Sequence, residues 1–151
     1  MSAQAFHWIS GEVGYPKAAR SLKLGGALAL FWNMHQGFHE QVAEDIQAIY
    51  RKIAPELASE DDSIEETIQE RTEEIIQSGC FGPVTIQRFP WSCTYRTSEY
   101  IGLLNTHSDH IRLPARSRQR LLEAISTVID ANGGSIKREY IAVFYLAHKP
   151  F

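Results

Sequence analysis

Apolar residues recur at helical spacing in three stretches of the first half of the chain, and each stretch predicts an amphipathic helix. The stretches cover residues 12–22, 38–53 and 64–77, where apolar side chains lie three and four positions apart. The first helix should be closed at Gly25, because glycine accepts the left-handed conformation that ends many helices. The second should end before Pro55, since proline cannot continue a helix.

The same signals predict the remaining helices. Ser63, with Glu66 three residues later, has the spacing of a capping box and should open the third helix. Thr97 or Ser98 can cap a short helix, and a long one is predicted over 114–132. Continuous or alternating apolar runs predict strands at residues 27–32, 84–89 and 135–148. Helices and strands alternate, so the predicted fold class is α/β.

Composition narrows the class of protein. The chain has 151 residues, 44% of them apolar and 22% charged, which is typical of one soluble globular domain. Its longest apolar runs are much shorter than the roughly 20 residues that cross a bilayer, so no membrane partner is expected. No signal peptide is recognisable, and two cysteines do not make a disulfide framework. We therefore expect a cytoplasmic protein with reduced thiols.

Charge is distributed unevenly along the chain. Residues 40–76 hold twelve acidic and three basic residues, whereas the net charge of the whole chain is only −3. This net charge gives no reason to expect a nucleic-acid partner. The acidic stretch favours a solvated helical surface, and an acidic docking face is the alternative.

Metal and hydrolase chemistry find little support in the sequence. His35 and His39 are four residues apart, and His107 and His110 are three apart, spacings that can place two ligands on one helical face. Neither pair belongs to an HExxH motif, and the cysteines form no CxxC pair. There is also no GxSxG sequence to mark a nucleophilic serine. The sequence therefore predicts no metal site.

A set of short motifs, taken in order, resembles a known enzyme family. The motifs are AQAFHWIS at 3–10, LKLGGALALFWN at 22–33, WSCTYR at 91–96, LLNTHS at 103–108 and the apolar strand at 140–147. Together they are similar to the C-terminal half of class I S-adenosylmethionine-dependent methyltransferases, in the type 11 group related to trans-aconitate methyltransferases. Leu24 stands where that family usually has proline.

The resemblance implies a fold and a reaction. It implies a single partial domain over 1–151, with a partial Rossmann-like methyltransferase sheet of about three strands and a helical cap insertion at 34–82. The family's N-terminal half, which carries a GxGxG turn for the cofactor, has no counterpart here. The complete family transfers a methyl group from S-adenosylmethionine to a small molecule, and this chain alone is expected to be inactive. The alternative is a non-enzymatic remnant or partner domain that self-associates or complements a separately encoded N-terminal half.

The resemblance also implies site residues. The segment beside the cofactor sulfonium comprises Gln4, Ala5, Phe6, His7 and Trp8, with His7 as the candidate general base. The substrate-binding candidates are Trp8, Trp32, Asn33, Trp91, Tyr95, Tyr100 and His107. Each of these side chains has a plainer interpretation, as an exposed aromatic terminus, a turn residue or an ordinary core residue.

The apparent absence of an N-terminal half leads to a prediction about assembly. Without it, the strand at 27–32 would have an open edge, and open edges favour pairing with another chain. We therefore expect a homodimer with two-fold symmetry. The alternative is that the helical region 38–77 covers the exposed face and leaves a monomer.

Overall fold

Four strands form one mixed sheet in the computed structural model, which describes residues 1–36, 41–58 and 63–150. The strands are β1 (Ser2–Ala3), β2 (Ala27–Gln36), β3 (Val84–Arg96) and β4 (Ser135–His148), in the spatial order β1-β2-β4-β3. β1 and β2 run parallel, with Ser2 opposite Leu30 and Ala3 opposite Phe31. At the start of β2, Gly25 donates to the carbonyl of Lys149, whose own amide donates to Gly26. β4 therefore runs antiparallel to β2.

Six α-helices accompany the sheet in the described part of the chain. They are α1 (Gly11–Ser21), α2 (Gln41–Ile53), α3 (Ile64–Gln77), α4 (Thr97–Leu104), α5 (Ser108–Arg112) and α6 (Ala115–Ala131). Short 3₁₀ turns lie at Phe6–Trp8 and Pro55–Leu57. None of the helices described is long and apolar enough to cross a membrane.

The chain divides into two compact units, each with its own hydrophobic core. The sheet unit comprises residues 1–36, 62–91 and 140–151, and the helical unit comprises residues 37–61 and 92–139. Leu30, Ile75 and Val143 are among the fully buried side chains of the sheet unit. The fully buried side chains of the helical unit include Ile46, Leu121, Ile125 and Ile129.

The α/β class is confirmed, and the predicted helices and strands are present with shifted ends. β4 has the predicted bounds, and the Ser63 hydroxyl caps α3 by accepting a hydrogen bond from the Glu66 amide at 3.3 Å, which is the serine half of the predicted capping box. Phe38, the predicted first apolar residue of α2, lies outside the described residues. The helical cap predicted at 34–82 stays a prediction, and the boundary between the two units falls within that range.

Several details of the sheet differ from expectation. The sheet has four strands rather than about three, because the two residues of β1 are too few to show a pattern. β2 and β3 continue to Gln36 and Arg96, well past their predicted ends. Since β1 pairs with β2 at Leu30 and Phe31, the edge expected to be open at 27–32 is partly covered.

Two helical details also differ from expectation. α4 is capped by neither Thr97 nor Ser98, because the Arg96 amide donates to the Glu99 carboxylate at 2.8 Å. The Thr97 hydroxyl instead donates to Asp130 at 2.5 Å. α5 was not predicted, because five residues are too few to reveal helical periodicity.

Candidate functional site

The segment that follows β1 is held against β2 by backbone and side-chain hydrogen bonds of Gln4. The backbone amide of Gln4 donates to the backbone carbonyl of Phe31 at 3.0 Å. Its side-chain oxygen accepts from the Asn33 amide at 2.7 Å, and its side-chain nitrogen donates to the Asn33 carbonyl at 3.5 Å. Gln4 has a φ of 51°, in the left-handed region that non-glycine residues rarely adopt. Such backbone strain persists only where surrounding contacts impose it, and it clusters at functional sites.

His7 and Trp32 are joined by a direct side-chain hydrogen bond. The Trp32 indole Nε1 donates to His7 Nδ1 at 3.1 Å. A neutral His7 ring must therefore carry its hydrogen on Nε2, because an indole can only donate. The lone pair that a general base would use at Nδ1 is already occupied by Trp32.

The other members of the N-terminal motif have different surroundings. Phe6 packs against Tyr15, with ring centroids 4.9 Å apart. Trp8 is 62% exposed, and its ring lies 5.0 Å from that of His7. Ala5 precedes the 3₁₀ turn and is exposed. Of the five candidate residues at positions 4–8, Phe6 and His7 line a cavity.

That cavity lies within the sheet unit and has a volume of about 340 Å³. Its walls include the rings of Phe6, Tyr15 and Trp32. Arg71 of α3 lies over the Trp32 ring at 4.2 Å from its centroid, a cation–π contact. The Arg71 Nη1 atom is buried and has no hydrogen-bond partner among the described residues.

Carboxylates complete the cavity. Glu70 and Glu74 line it, and the Tyr15 hydroxyl donates to the Glu74 carboxylate at 3.4 Å. Burial, together with the negative charge of Glu74, raises the pKa of Tyr15 well above its ordinary value. Tyr15 is therefore a neutral hydrogen-bond donor at every physiological pH.

Trp91 and Asn33 form a second contact in the sheet unit. The Trp91 indole donates to the Asn33 side-chain oxygen at 2.8 Å. The Trp91 ring also stacks on Tyr140, with centroids 4.4 Å apart and an interplanar angle of 16°. Asn33 is thus bonded through its backbone to Gln4 and through its side chain to Trp91.

The structure brings some of the predicted site residues together and separates others by unit. Gln4, Asn33 and Trp91 form one hydrogen-bonded group in the sheet unit, and His7 and Trp32 form a second. The two groups adjoin because Trp32 and Asn33 are neighbours in β2. The remaining substrate-binding candidates, Tyr95, Tyr100 and His107, belong to the helical unit.

Sequence reasoning missed three side chains in the sheet unit. Arg71, Glu74 and Tyr140 were not singled out, because an isolated charge on an acidic helix and a tyrosine in an apolar strand carry no local signal. The arginine was nevertheless the only base among the residues of α3. That isolated opposite charge could have marked it.

The helical unit contains its own polar group. The Tyr50 hydroxyl lies 2.7 Å from His110 Nε2, and His110 Nδ1 lies 2.8 Å from an Asp109 carboxylate oxygen. The His107 ring is 5.5 Å from that of His110. His110 is only 4% exposed, so the protein supplies both hydrogen-bond partners of its ring.

The electrostatic effects follow from burial and from these bonds. Burial raises the pKa of Tyr50 and lowers the pKa of His107. Partial burial alone would raise the pKa of Asp109, but the hydrogen bonds from His110 outweigh it and hold that pKa below its usual value. His107 is therefore a neutral imidazole at neutral pH.

Comparison with known proteins finds similar solved structures but no matching family or curated protein. No family profile matches the chain, and no curated protein matches it. Among solved structures, it is similar to a candidate methyltransferase from Bacillus halodurans C-125, with 15% identity and a TM-score of 0.47 over 99% of this chain and 68% of that one. It is also similar to the YcgJ protein from Bacillus subtilis, with 17% identity and a TM-score of 0.41 over 97% of this chain and 61% of that one.

A third similar structure is phosphoethanolamine N-methyltransferase 2 from Haemonchus contortus, in complex with phosphomonomethylethanolamine and S-adenosylhomocysteine. The identity is 11% and the TM-score 0.39, over 99% of this chain and 32% of that one. The present chain thus spans between about a third and two thirds of these proteins. Similarity at this level does not establish a shared activity.

Proposed function

We propose that this chain carries part of the active site of an S-adenosylmethionine-dependent methyltransferase that acts on a small molecule. The observation that carries the proposal is that Gln4 and His7, which follow the carboxyl end of β1, are hydrogen-bonded to Asn33 and Trp32 in the second half of the parallel strand β2. Open α/β sheets bind ligands beyond the carboxyl ends of their strands, where the segment after β1 lies. The motif resemblance described above supplies the reaction class.

The cavity beside this group suits the proposed cofactor. S-adenosylmethionine supplies a methyl group on a positively charged sulfur. The rings of Phe6, Tyr15 and Trp32 present π faces that attract cations, and the carboxylates of Glu70 and Glu74 add negative charge. The three rings and the two carboxylates therefore suit a sulfonium. The positive charge of Arg71 acts against sulfonium binding.

Within this proposal, the main role of His7 is to position the methyl acceptor. Its bond to Trp32 limits its ability to accept a proton. Because His7 Nδ1 accepts from the Trp32 indole, the neutral ring offers a hydrogen at Nε2. It can donate that hydrogen to an acceptor oxygen. It can take up a proton only if the Trp32 bond opens. The bond itself fixes the orientation of the ring, and alignment is the main requirement of a displacement reaction.

Calorimetric titration of the full chain with S-adenosylmethionine tests the proposal. We expect binding in the micromolar range, weakened about tenfold or more by Trp32→Ala, which removes a cavity wall and the bond to His7. His148→Gln is the matched control, because His148 is exposed and does not line the cavity. The absence of binding by the wild-type chain at millimolar cofactor would overturn the proposal that these residues hold the cofactor.

Three further properties belong to this proposal. The chain is proposed to act in the cytoplasm, to require an N-terminal half with a GxGxG turn for turnover, and to form a homodimer. Since β1 partly covers the edge of β2, strand pairing there is limited to the remainder of that edge, and β3 forms the opposite edge of the sheet. Sedimentation at micromolar concentration checks this, and a single 17.1 kDa species would exclude the dimer.

A further inference from the structure

Three potential metal ligands lie close together in the helical unit, at the start of α5. They are His107, Asp109 and His110, and their ligand atoms all lie within 4.8 Å of one another. The sequence predicted no metal here, because two histidines at this spacing are not a motif by themselves. The structure adds the carboxylate of Asp109 as a third ligand of the right chemistry.

His110 is the fixed member of the group. Its side chain is 5% exposed, and its Nε2 lies 2.7 Å from the Tyr50 hydroxyl of α2, sixty positions away in sequence. A metal-binding histidine usually has its second ring nitrogen held in this way, which sets the tautomer and the ring orientation. The Asp109 carboxylate can only accept, so His110 Nδ1 donates to it in this structure. Metal binding through Nδ1 would require the ring hydrogen to move to Nε2, where the Tyr50 hydroxyl can accept it.

Asp109 lies at the site that a metal would share with His110. Its carboxylate oxygen is 2.8 Å from His110 Nδ1, and its side chain is 54% exposed. This exposure leaves the group open to solvent on one side. A metal bound there would therefore have the three protein ligands and a coordination position for water.

We propose that His107, Asp109 and His110 bind a zinc ion through two imidazole nitrogens and one carboxylate oxygen. Zn²⁺ binds nitrogen at about 2.0–2.1 Å and carboxylate oxygen at about 2.0–2.2 Å. Ligand atoms around such an ion are separated by about 3.4 Å in a tetrahedral site. The three ligand atoms lie within 4.8 Å of one another, and the Asp109 oxygen is 2.8 Å from His110 Nδ1. Metal binding would therefore require small movements of His107 and Asp109, which are not fully buried.

The charges around the group are mixed, and they set its expected affinity. The Asp109 carboxylate favours a cation. The Arg138 side chain, which lies over the Tyr100 ring at 5.8 Å, acts on His107 with a positive charge. The site has one carboxylate and one nearby guanidinium, so we expect weaker binding than in closed structural zinc sites.

The test is titration of the full chain, first freed of metal with a chelator, with zinc chloride in a calorimeter. We expect one ion per chain with micromolar affinity. Asp109→Asn and His107→Gln should each weaken binding at least tenfold, because each removes one of the three ligands. His148→Gln, which changes a histidine outside the group, should leave affinity unchanged.

A second measurement separates zinc ligation from a structural role of the same residues. Co²⁺ substitutes for Zn²⁺ and reports its coordination by visible absorption. Tyr50→Phe keeps all three ligands but releases the His110 ring, and loss of such a partner typically costs about 10–100-fold in metal affinity. The proposal is overturned if the wild-type chain binds no zinc, or if Asp109→Asn and His107→Gln bind it as tightly as His148→Gln does.

Discussion

The two compact units differ in the hydrogen bonding of a buried tyrosine hydroxyl. In the helical unit, the Tyr50 hydroxyl is bonded to His110, which is in turn bonded to Asp109. In the sheet unit, the Tyr145 hydroxyl is buried without a hydrogen-bond partner among the described residues. A paired buried hydroxyl contributes to stability, whereas an unpaired one costs free energy. The two tyrosines therefore differ: the hydroxyl in the helical unit is paired, and the one in the sheet unit is unpaired within the described part of the chain, on a ring that packs against Trp32, a wall of the cavity.

Arg71 extends this comparison. Its Nη1 atom is also buried without a partner, and its positive charge opposes the rise that burial causes in the pKa of Tyr145. Unsatisfied buried groups are uncommon in proteins and concentrate where a ligand or function explains them. The cavity at Arg71 and Trp32 is such a place.

Replacing the two tyrosines gives the largest expected difference. Tyr50→Phe should lower the free energy of unfolding by about 1–3 kcal/mol, because it leaves the ring of His110 with an unpaired buried nitrogen. Tyr145→Phe should change that free energy by less than about 0.5 kcal/mol or raise it, since no bond is lost. Urea denaturation of the two variants measures both values. An equal loss in the two variants would remove the distinction between the units.

The strained backbone of Gln4 gives a smaller effect. Gln4→Gly and Gln4→Ala both remove the side-chain bonds to Asn33, but only glycine accepts a φ of 51° without cost. The glycine variant should therefore be more stable than the alanine variant by about 1 kcal/mol.

The control for this prediction is the neighbouring residue. Ala5 has a φ of −136°, so Ala5→Gly gains nothing from the freedom of glycine and should be slightly destabilising. Thermal unfolding of the three variants ranks them. A glycine variant at position 4 that is less stable than the alanine variant would show that Gln4 is not held in the left-handed region.

The pH dependence of stability gives the smallest effect, which vanishes at neutral pH. Tyr15 and Tyr145 have pKa values raised by burial above the ordinary value of about 10. The unfolded chain releases these protons first as pH rises, so the contribution of the two tyrosines to stability is constant below about pH 10 and falls above it. Tyr15→Phe should reduce this alkaline loss. Urea unfolding between neutral and alkaline pH measures it, and an unchanged slope would contradict the assignment to Tyr15.

Local patterns in the sequence predicted much of the fold. The apolar period located α1, α3, α6 and β4, and Ser63 with Glu66 marked the start of α3. These features depend on residues a few positions apart, so they can be recognised without knowledge of the rest of the molecule. The same reasoning failed for β1 and α5, which are too short to have a period.

The candidate site was only partly predictable, for a physical reason. Motif resemblance pointed to His7, Trp32, Asn33 and Trp91, but not to the bonds between them. Trp91 of β3 and Asn33 of β2 are separated by fifty-eight positions. Only the sheet, in which both strands flank β4, brings them together.

The sequence by itself determined the α/β class, the main helices and strands and the aromatic character of the N-terminal segment, because these follow from local periodicity and residue type. Only the tertiary structure decided that Arg71 would lie over Trp32 and that the Tyr50 hydroxyl would bond to His110. Packing sets these contacts, since it brings side chains of different elements to one place and removes them from water. The spacing of residues along the chain does not predict that placement.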